Sequence, residues 1–305
     1  MHSAVSGAQF MLSAGDYTAV VTESGAGLRV LRLDGEDLVL TYGAHEVAPA
    51  AFGQLLIPWP NRIERGRYTW EGQELQLDLS EPAYDCAIHG LVRWLPWSLE
   101  SQTPEAVVLT CGLLGSPGYP FRLALRVEYT LDAGAGLTVR VTALNDGEAA
   151  APYAHGAHPY LTVGEHIDGC TVQVPGARHL PVDAMMIPRG PAEPVDGTPY
   201  DLRAPRTLGD LRIDRAFTGL ERDADGRAWV HLTGTSRATS LWSDRAHPWL
   251  EIYTADSVPI QERRTGLGVE PMTCPPNAFV SGTDVVALEP GDVFTGSWGI
   301  TATQR

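Results

Sequence analysis

The chain has 305 residues, 44% of them hydrophobic and spread throughout rather than blocked, which is enough to bury a substantial core and unlike a disordered polymer. Its 37 acidic against 22 basic residues leave a formal net charge of −15, which repels phosphate backbones and anionic lipid surfaces and so argues against nucleic-acid and membrane partners. The opening Met1-His2-Ser3-Ala4-Val5-Ser6-Gly7 lacks a basic segment followed by an apolar one, and no run approaches the roughly 18 apolar residues of a spanning helix, so a soluble, cytoplasmic protein is expected.

Taken in order, the chain reads as many short strands. Tyr17–Thr22 and Leu28–Leu33 come first, followed by Arg67–Trp70, which a turn at Trp70-Glu71-Gly72-Gln73 joins to a strand at 74–79. Residues 94–99 and 106–110 are the next candidates. Alternation is strictest at 121–131, where odd positions are apolar and most even ones polar, the period-two pattern of a half-buried strand. Asp132-Ala133-Gly134-Ala135-Gly136 then turns the chain into another alternating run at 137–143. Further strands are expected at 151–154, 228–232, 239–242, 250–254 and 294–300, with a loop-rich stretch at about 181–212. No window carries a 3.6-residue apolar repeat long enough for a major helix, and no domain-scale linker interrupts the chain. The expected architecture is all-β, one large antiparallel β-sandwich forming a single domain over 1–305.

The cysteines, Cys86, Cys111, Cys170 and Cys274, are far apart and lack C-x-x-C spacing, so they are expected as isolated buried thiols rather than a zinc or redox motif. Among the groups that carry chemistry, His158 in Ala157-His158-Pro159 and Glu270 in Val269-Glu270-Pro271 stand out. Each is set against a proline in a strand-rich chain, and Glu270 closes an apolar run where desolvation raises a carboxyl toward the range useful for a base. An imidazole and a carboxylate of this kind are what a proton-transfer site on a sugar uses. His155 and His158 have H-x-x-H spacing, but on an extended strand residues three apart face opposite sides, so no metal is expected there.

Arg62 follows two prolines and a tryptophan in Pro58-Trp59-Pro60-Asn61-Arg62, and its forked donors suit sugar hydroxyls or a carboxylate, with Glu64 the nearest acid in sequence. His89 precedes Gly90, where the missing Cβ permits a close backbone approach. Asp214 lies between Arg212 and Arg215, and a salt bridge to either is the plain expectation. Of the eight tryptophans, Trp59 is the one expected nearest a ligand, offering a flat face to the C–H side of a pyranose.

In register along nearly the whole chain, these segments resemble the aldose 1-epimerase (galactose mutarotase) family. The matching segments are Asn61-Arg62-Ile63 with Gly66 and Tyr68, Ile88-His89-Gly90 with Trp97, Gly118-Tyr119-Pro120, and His158-Pro159-Tyr160. Asp183 to Pro188-Arg189-Gly190, Asp201-Leu202-Arg203, Ile213-Asp214 with Ala216-Phe217, and Val269-Glu270-Pro271 before Ala278 continue the series. The resemblance implies a β-supersandwich fold and an isomerase that interconverts the α and β anomers of a free hexose such as glucose or galactose. It implies that Glu270 takes the proton from the C1 hydroxyl and that His158 protonates the ring oxygen. His89 and Arg62 would hold the ring-oxygen side, and Asp214 the hydroxyls remote from C1. Asn61 and Trp59 complete the expected sugar-binding set, with a small-molecule aldose as partner, no cofactor or metal, and a monomer or homodimer as the assembly. Positioned acids and bases each contribute about 10²–10⁴-fold, enough to accelerate a reaction that also proceeds in water.

Two departures bear on the substrate. Gly90-Leu91-Val92-Arg93 replaces the glycine pair that commonly follows the motif histidine, and Met272 stands where a polar residue often follows Glu-Pro. His89 to Arg93 resembles the spacing of the hexose-6-phosphate epimerase branch, which makes a hexose 6-phosphate the alternative substrate, although the net charge of −15 does not favour a dianion. A carbohydrate-binding sandwich without turnover is the rival class; it needs hydroxyl partners but no acid–base pair, and this chain carries both Glu270 and His158.

Overall fold

The structure, a computed structural model, describes residues 4–258 and 262–304; the opening Met1-His2-Ser3 lies outside them. Two large antiparallel sheets dominate. The first has nine strands in the order Ser98–Gln102, Ala106–Leu113, Leu123–Asp132, Gly136–Asn145, Val293–Gln304, Arg237–Ser243, Ala228–Thr233, Thr171–Gln173 and Arg206–Thr207. The second runs Glu193–Pro194, Gly176–His179, Asp214–Leu220, Trp249–Tyr253, Leu267–Met272, Gly156–Ala157 and Leu55–Leu56, with Tyr160–Leu161 also paired to Leu267–Met272. A separate four-stranded sheet is built from the N-terminal segment starting at Gln9–Ala14. The chain is therefore all-β, and among the described residues the sole α-helical turn is Ala278–Ser281.

Alternation dictates this layering. Along Leu123–Asp132 the odd positions Leu123, Leu125, Val127, Tyr129 and Leu131 are buried while the even ones are half-buried or exposed. Their side chains share one continuous apolar cluster with Phe217, Leu250, Ile252 and Val269 of the second sheet, which is how a sandwich hides both inner faces. The same period of two sends Asp214, Glu251, Tyr253 and Glu270 to the other side of the second sheet, away from that core. Chain reversals follow the expected chemistry: Glu71 and Gly72 both have positive φ (47° and 80°) between the paired residues Trp70 and Gln73, and the Asp132 carboxylate caps the turn by accepting from the backbone N–H groups of Gly134 and Ala135.

Two expected strands shift. The strand predicted at 74–79 is Gln73–Gln76, because Leu77 turns its N–H to Gly66 and Leu79 ends exposed. The strand predicted at 94–99 starts only at Ser98, since Pro96 has no N–H to give a ladder, and Trp94 is left on the surface. The four cysteines are buried and unpaired. No helix among the described residues is long and apolar enough to cross a membrane.

His89 and Gly90 both occupy the left-handed region (φ 61° and 70°), and a Cβ on Gly90 would lie 2.1 Å from the Ile57 carbonyl oxygen. The His-Gly step therefore serves a close approach of backbone to backbone, with Leu91 N–H bonded to that same carbonyl. Gly90→Ala is expected to cost roughly 2 kcal/mol or more, since strain and a backbone clash coincide. Chemical denaturation measures it; an unchanged midpoint would mean the Ile57 loop yields freely.

Candidate active site

A cleft of about 330 Å³ opens on the outer face of the second sheet, at the small end of the usual range for ligand clefts. Neighbouring strands supply its floor: Asp214 begins one, and Glu270 lies in the strand beside Trp249–Tyr253. The wall comes from the Asn61–Arg62 and Ile88–His89 segments, whose strands Arg62–Glu64 and Cys86–Ile88 pair with each other. His158 enters between Gly156–Ala157 and Tyr160–Leu161, two short pieces that both hydrogen-bond to the Glu270 strand. His158 N–H donates to the Gln54 carbonyl and its own carbonyl accepts from Gly53, so the backbone under the ring is tied on both sides.

At the centre, His158 Nε2 is 3.2 Å from Glu270 Oε1, and both side chains are almost wholly buried. The imidazole stacks on Tyr160 with ring centroids 4.9 Å apart and meets the edge of His89 at 5.2 Å. His158 Nδ1 and Glu270 Oε2 are buried with no hydrogen-bond partner. Burial, with Arg93 and Arg62 adding to it, pulls the His158 pKa down to about 3. Burial and the neighbouring Asp214 charge hold Glu270 well above the usual carboxylate range, against a lowering pull from Arg62. Desolvation thus disfavours an imidazolium–carboxylate pair at rest, and burial favours the neutral form of each group across their 3.2 Å contact.

His89 has a fixed tautomer. Asn61 N–H donates to His89 Nδ1 at 3.1 Å while His89 N–H returns a bond to the Asn61 carbonyl, so the ring carries its proton on Nε2 and can act as a neutral donor. Burial first, and then the neighbouring His158, Arg93 and Arg62, push its pKa well below the usual imidazole range. Asn61 itself sits at φ 54°, a conformation asparagine tolerates, and its amide is fully engaged: Oδ1 accepts from Arg62 N–H and Nδ2 donates to Glu251 at 3.3 Å. It borders the cleft as an organiser of its neighbours.

Arg62 meets Glu81 rather than Glu64. Its Nε and Nη2 make a two-pronged contact of 2.6 and 2.8 Å with that carboxylate, the guanidinium lies over the Tyr84 ring, and Nη1 remains for a ligand. Glu64 instead binds Arg189. Asp214 pairs with neither adjacent arginine: Arg212 faces Asp256, Arg215 lies against His179 and Tyr200, and Asp214 looks into the cleft, where burial raises its proton affinity and Arg62 opposes that. Trp59 is corrected outright. It is 2% exposed, packs on Phe279 at 5.7 Å, and takes no part in the cleft, because the following Pro60-Asn61 turn directs it into the core. The aromatic face at the rim belongs to Trp94, 53% exposed, with Arg93 over its ring.

His155 turns away from His158. Its Nδ1 bonds the Tyr153 hydroxyl, its Nε2 meets His247 Nε2 at 3.1 Å, and His247 Nδ1 reaches Asp244, a buried chain separate from the cleft. One ligand atom each of His89, His158 and Glu270 lie within 4.8 Å of one another, with His158 Nε2 and Glu270 Oε1 in direct contact at 3.2 Å. Sequence reasoning missed Glu81 and Glu251. Glu81 sits in a polar Ser80-Glu81-Pro82 turn with no periodic signal, whereas the alternation Leu250, Glu251, Ile252 does flag a polar residue among buried neighbours.

With this geometry in place, the comparisons with known proteins agree. The aldose 1-epimerase family model matches residues 9–301, and the chain belongs to that family. It is similar to YihR of Escherichia coli K12, an uncharacterized protein, with 39% identity over 94% of this chain and 90% of that one. Human galactose mutarotase shares 28% identity over 67% of the chain, which spans 62% of that relative's length. In fold, the chain matches an aldose epimerase homologue from C. elegans (TM-score 0.87, 18% identity, covering 97% of this chain and 99% of that one) and galactose 1-epimerase from Lactobacillus acidophilus NCFM (TM-score 0.82, 20% identity, 96% and 92%).

The buried neutral histidine makes stability depend on acid. Its folded pKa lies below the unfolded value, so between about pH 6.5 and 3 the unfolded chain binds the extra proton and the His158 contribution is lost as pH falls through that window. Glu270, raised, acts in the opposite sense above the ordinary carboxylate range. The stability difference between wild type and His158→Asn, from denaturation at a series of pH values, is therefore expected to move against the wild type as pH drops from about 7 to 4. A pH-independent difference would mean the imidazole charges within the fold.

Proposed function

We propose that the protein is an aldose 1-epimerase that opens and recloses the pyranose form of an aldose by general acid–base catalysis at Glu270 and His158. The observation that carries this is their 3.2 Å contact at the bottom of the cleft. O1 and O5 of a hemiacetal are bonded to the same carbon, so groups that exchange protons with them have to stand side by side. In the reactive form one proton has moved from the Glu270 carboxyl to His158: the Glu270 carboxylate takes the proton of the C1 hydroxyl while the His158 imidazolium gives its Nε2 proton to O5 and returns to neutral imidazole; the ring opens, the C1–C2 bond rotates, and the transfers run in reverse on the other carbonyl face. His89, protonated on Nε2, donates toward the ring-oxygen side. Arg62, through Nη1, and Asp214 hold hydroxyls away from C1, so that C1 alone turns. A free hexose such as glucose or galactose carries the hydroxyls that these groups would take.

Arg93 favours a second reading of the substrate. It lines the same cleft, its Nε is buried with no partner, and no carboxylate among the described residues lies within ion-pair distance of it; its best contact is the neutral Gln54 oxygen, 3.5 Å from Nη1. Burial pulls its pKa down to about 10, which marks a cation short of counter-charge. It acts on both His158 and His89, the groups assigned to O5, and the substituent nearest O5 is that on C5. An oxyanion at C6, phosphate included, would supply the missing charge.

Polarimetry on freshly dissolved α-D-glucose, α-D-galactose and glucose 6-phosphate tests both readings. Enzyme is expected to accelerate the approach to equilibrium, and Glu270→Gln or His158→Asn to slow it by at least ~10²-fold with the fold intact. Near wild-type rates in either variant would move proton transfer elsewhere, and no acceleration on any aldose would leave a binding sandwich. Arg93→Ala separates the substrates: loss confined to the 6-phosphate assigns the anionic sugar, and equal rates on both assign the free hexose.

A further inference from the structure

Facing Glu270 is a second buried glutamate to which ring opening gives no task. Glu251 is 2% exposed and is the direct cross-strand partner of Glu270 in the pairing of Trp249–Tyr253 with Leu267–Met272. On its other side the register sets it opposite Ala216, two residues from Asp214 along that strand, so the two carboxyls share one face of the sheet and stand within hydrogen-bonding reach of each other. Asn61 Nδ2 donates to its Oε2 at 3.3 Å.

Two ionised carboxylates only accept hydrogen bonds, so a bond between Glu251 and Asp214 requires a proton on one of them. The Asn61 amide marks Glu251 Oε2 as an acceptor oxygen, which leaves Oε1–H as the donor to Asp214. Among the described residues, the cations that favour its ionised form are outweighed, since both are engaged elsewhere. The groups around it are Asp214 and Arg215 on one neighbouring strand, Glu270 on the other, and Arg62 across the cleft. Arg62 has its fork on Glu81, and Arg215 lies against His179 and Tyr200. Burial first, and then the charges of Asp214 and Glu270, raise the proton affinity of Glu251 well above the usual range.

We propose that Glu251 is a positioning residue that remains a neutral carboxylic acid, donating to Asp214 to hold that carboxylate ionised and aimed into the cleft, and leaving Glu270 free to titrate beside it without a second charge. The catalytic half rests on the assignment of Glu270 as the base. Without that proton, three carboxylates would stand together beside two arginines already engaged elsewhere, a strongly unfavourable arrangement at low dielectric.

Glutamine is the isostere of the neutral acid: its carbonyl accepts from Asn61 and its amide donates to Asp214. Glu251→Ala, which removes both bonds, is expected to raise KM for the sugar about 10-fold or more, in line with the roughly 1–3 kcal/mol cost of orphaned buried polar groups. Glu251→Gln is expected to restore KM to within about 3-fold and to keep the acidic limb of the pH–kcat/KM profile at its wild-type position. If Glu251 were ionised, the glutamine would remove a negative charge beside Glu270, and the limb would move to lower pH by about one unit or more; that result overturns the proposal. Infrared difference spectra of the intact protein at neutral pH give a readout independent of turnover. Within the protonated-carboxyl carbonyl region a component is expected that Glu251→Gln abolishes and Glu270→Gln does not. Its absence from wild type, or its survival in Glu251→Gln, refutes the neutral acid whatever the activity, whereas its presence in a protein inactive on every aldose would refute the epimerase assignment and leave the proton assignment standing.

Discussion

The 3.2 Å contact between Glu270 and His158 is where the demands of the fold and of the site meet. Burying an imidazole and a carboxyl together is expensive, and here they face each other across 3.2 Å with the stacked Tyr160 ring closing one side and with His158 Nδ1 and Glu270 Oε2 left without partners. The surrounding architecture reduces to the task of fixing that distance. Gly156–Ala157 and Tyr160–Leu161 both pair with the Glu270 strand, so the short excursion carrying His158 is pinned at each end to the element that carries its partner. Thr273, just beyond that strand, exchanges two more hydrogen bonds with the His155 backbone. A pair of charges would be a poor anchor in this place, and burial favours the neutral form of each group.

Around that pair the electrostatics are graded by how each group is partnered. Arg62 is neutralised by Glu81, His89 is locked by Asn61 in one tautomer, and Asp214 lies next to Glu251. Asn61 touches three of these arrangements at once, through its own N–H, its Oδ1 and its Nδ2. Its left-handed backbone is what permits this, because it turns the amide back toward the sheet while Arg62 continues into a strand. Arg93 is the exception to the grading, a cation with no acid against it, and for that reason the substrate's own charge becomes part of the account.

Much of this was legible in the sequence. Alternation located most of the strands, since period-two burial leaves a direct mark such as Leu123 to Leu131. Where a residue's environment is set by distant strands, local pattern failed. Trp59 looked like a ligand platform because it precedes Arg62, yet the turn at Pro60-Asn61 sends it into the core, and the exposed aromatic at the cleft is Trp94, which a false strand at 94–99 had hidden. Proximity in sequence likewise suggested Glu64 for Arg62 and the flanking arginines for Asp214, and the fold overruled both by bringing in Glu81 and Glu251. His155 belongs to a buried chain reaching Asp244, a partner ninety residues away that no spacing rule announces.

The most direct test of the central claim is the structure of the protein with a bound pyranose. O1 is expected within hydrogen-bond reach of Glu270 and O5 within reach of His158, at heavy-atom separations of about 2.6–3.2 Å, with the 3.2 Å contact between the two side chains giving way to the sugar. A sugar seated with C1 over Asp214, or with Glu270 and His158 still bonded to each other beneath it, would contradict the assignment.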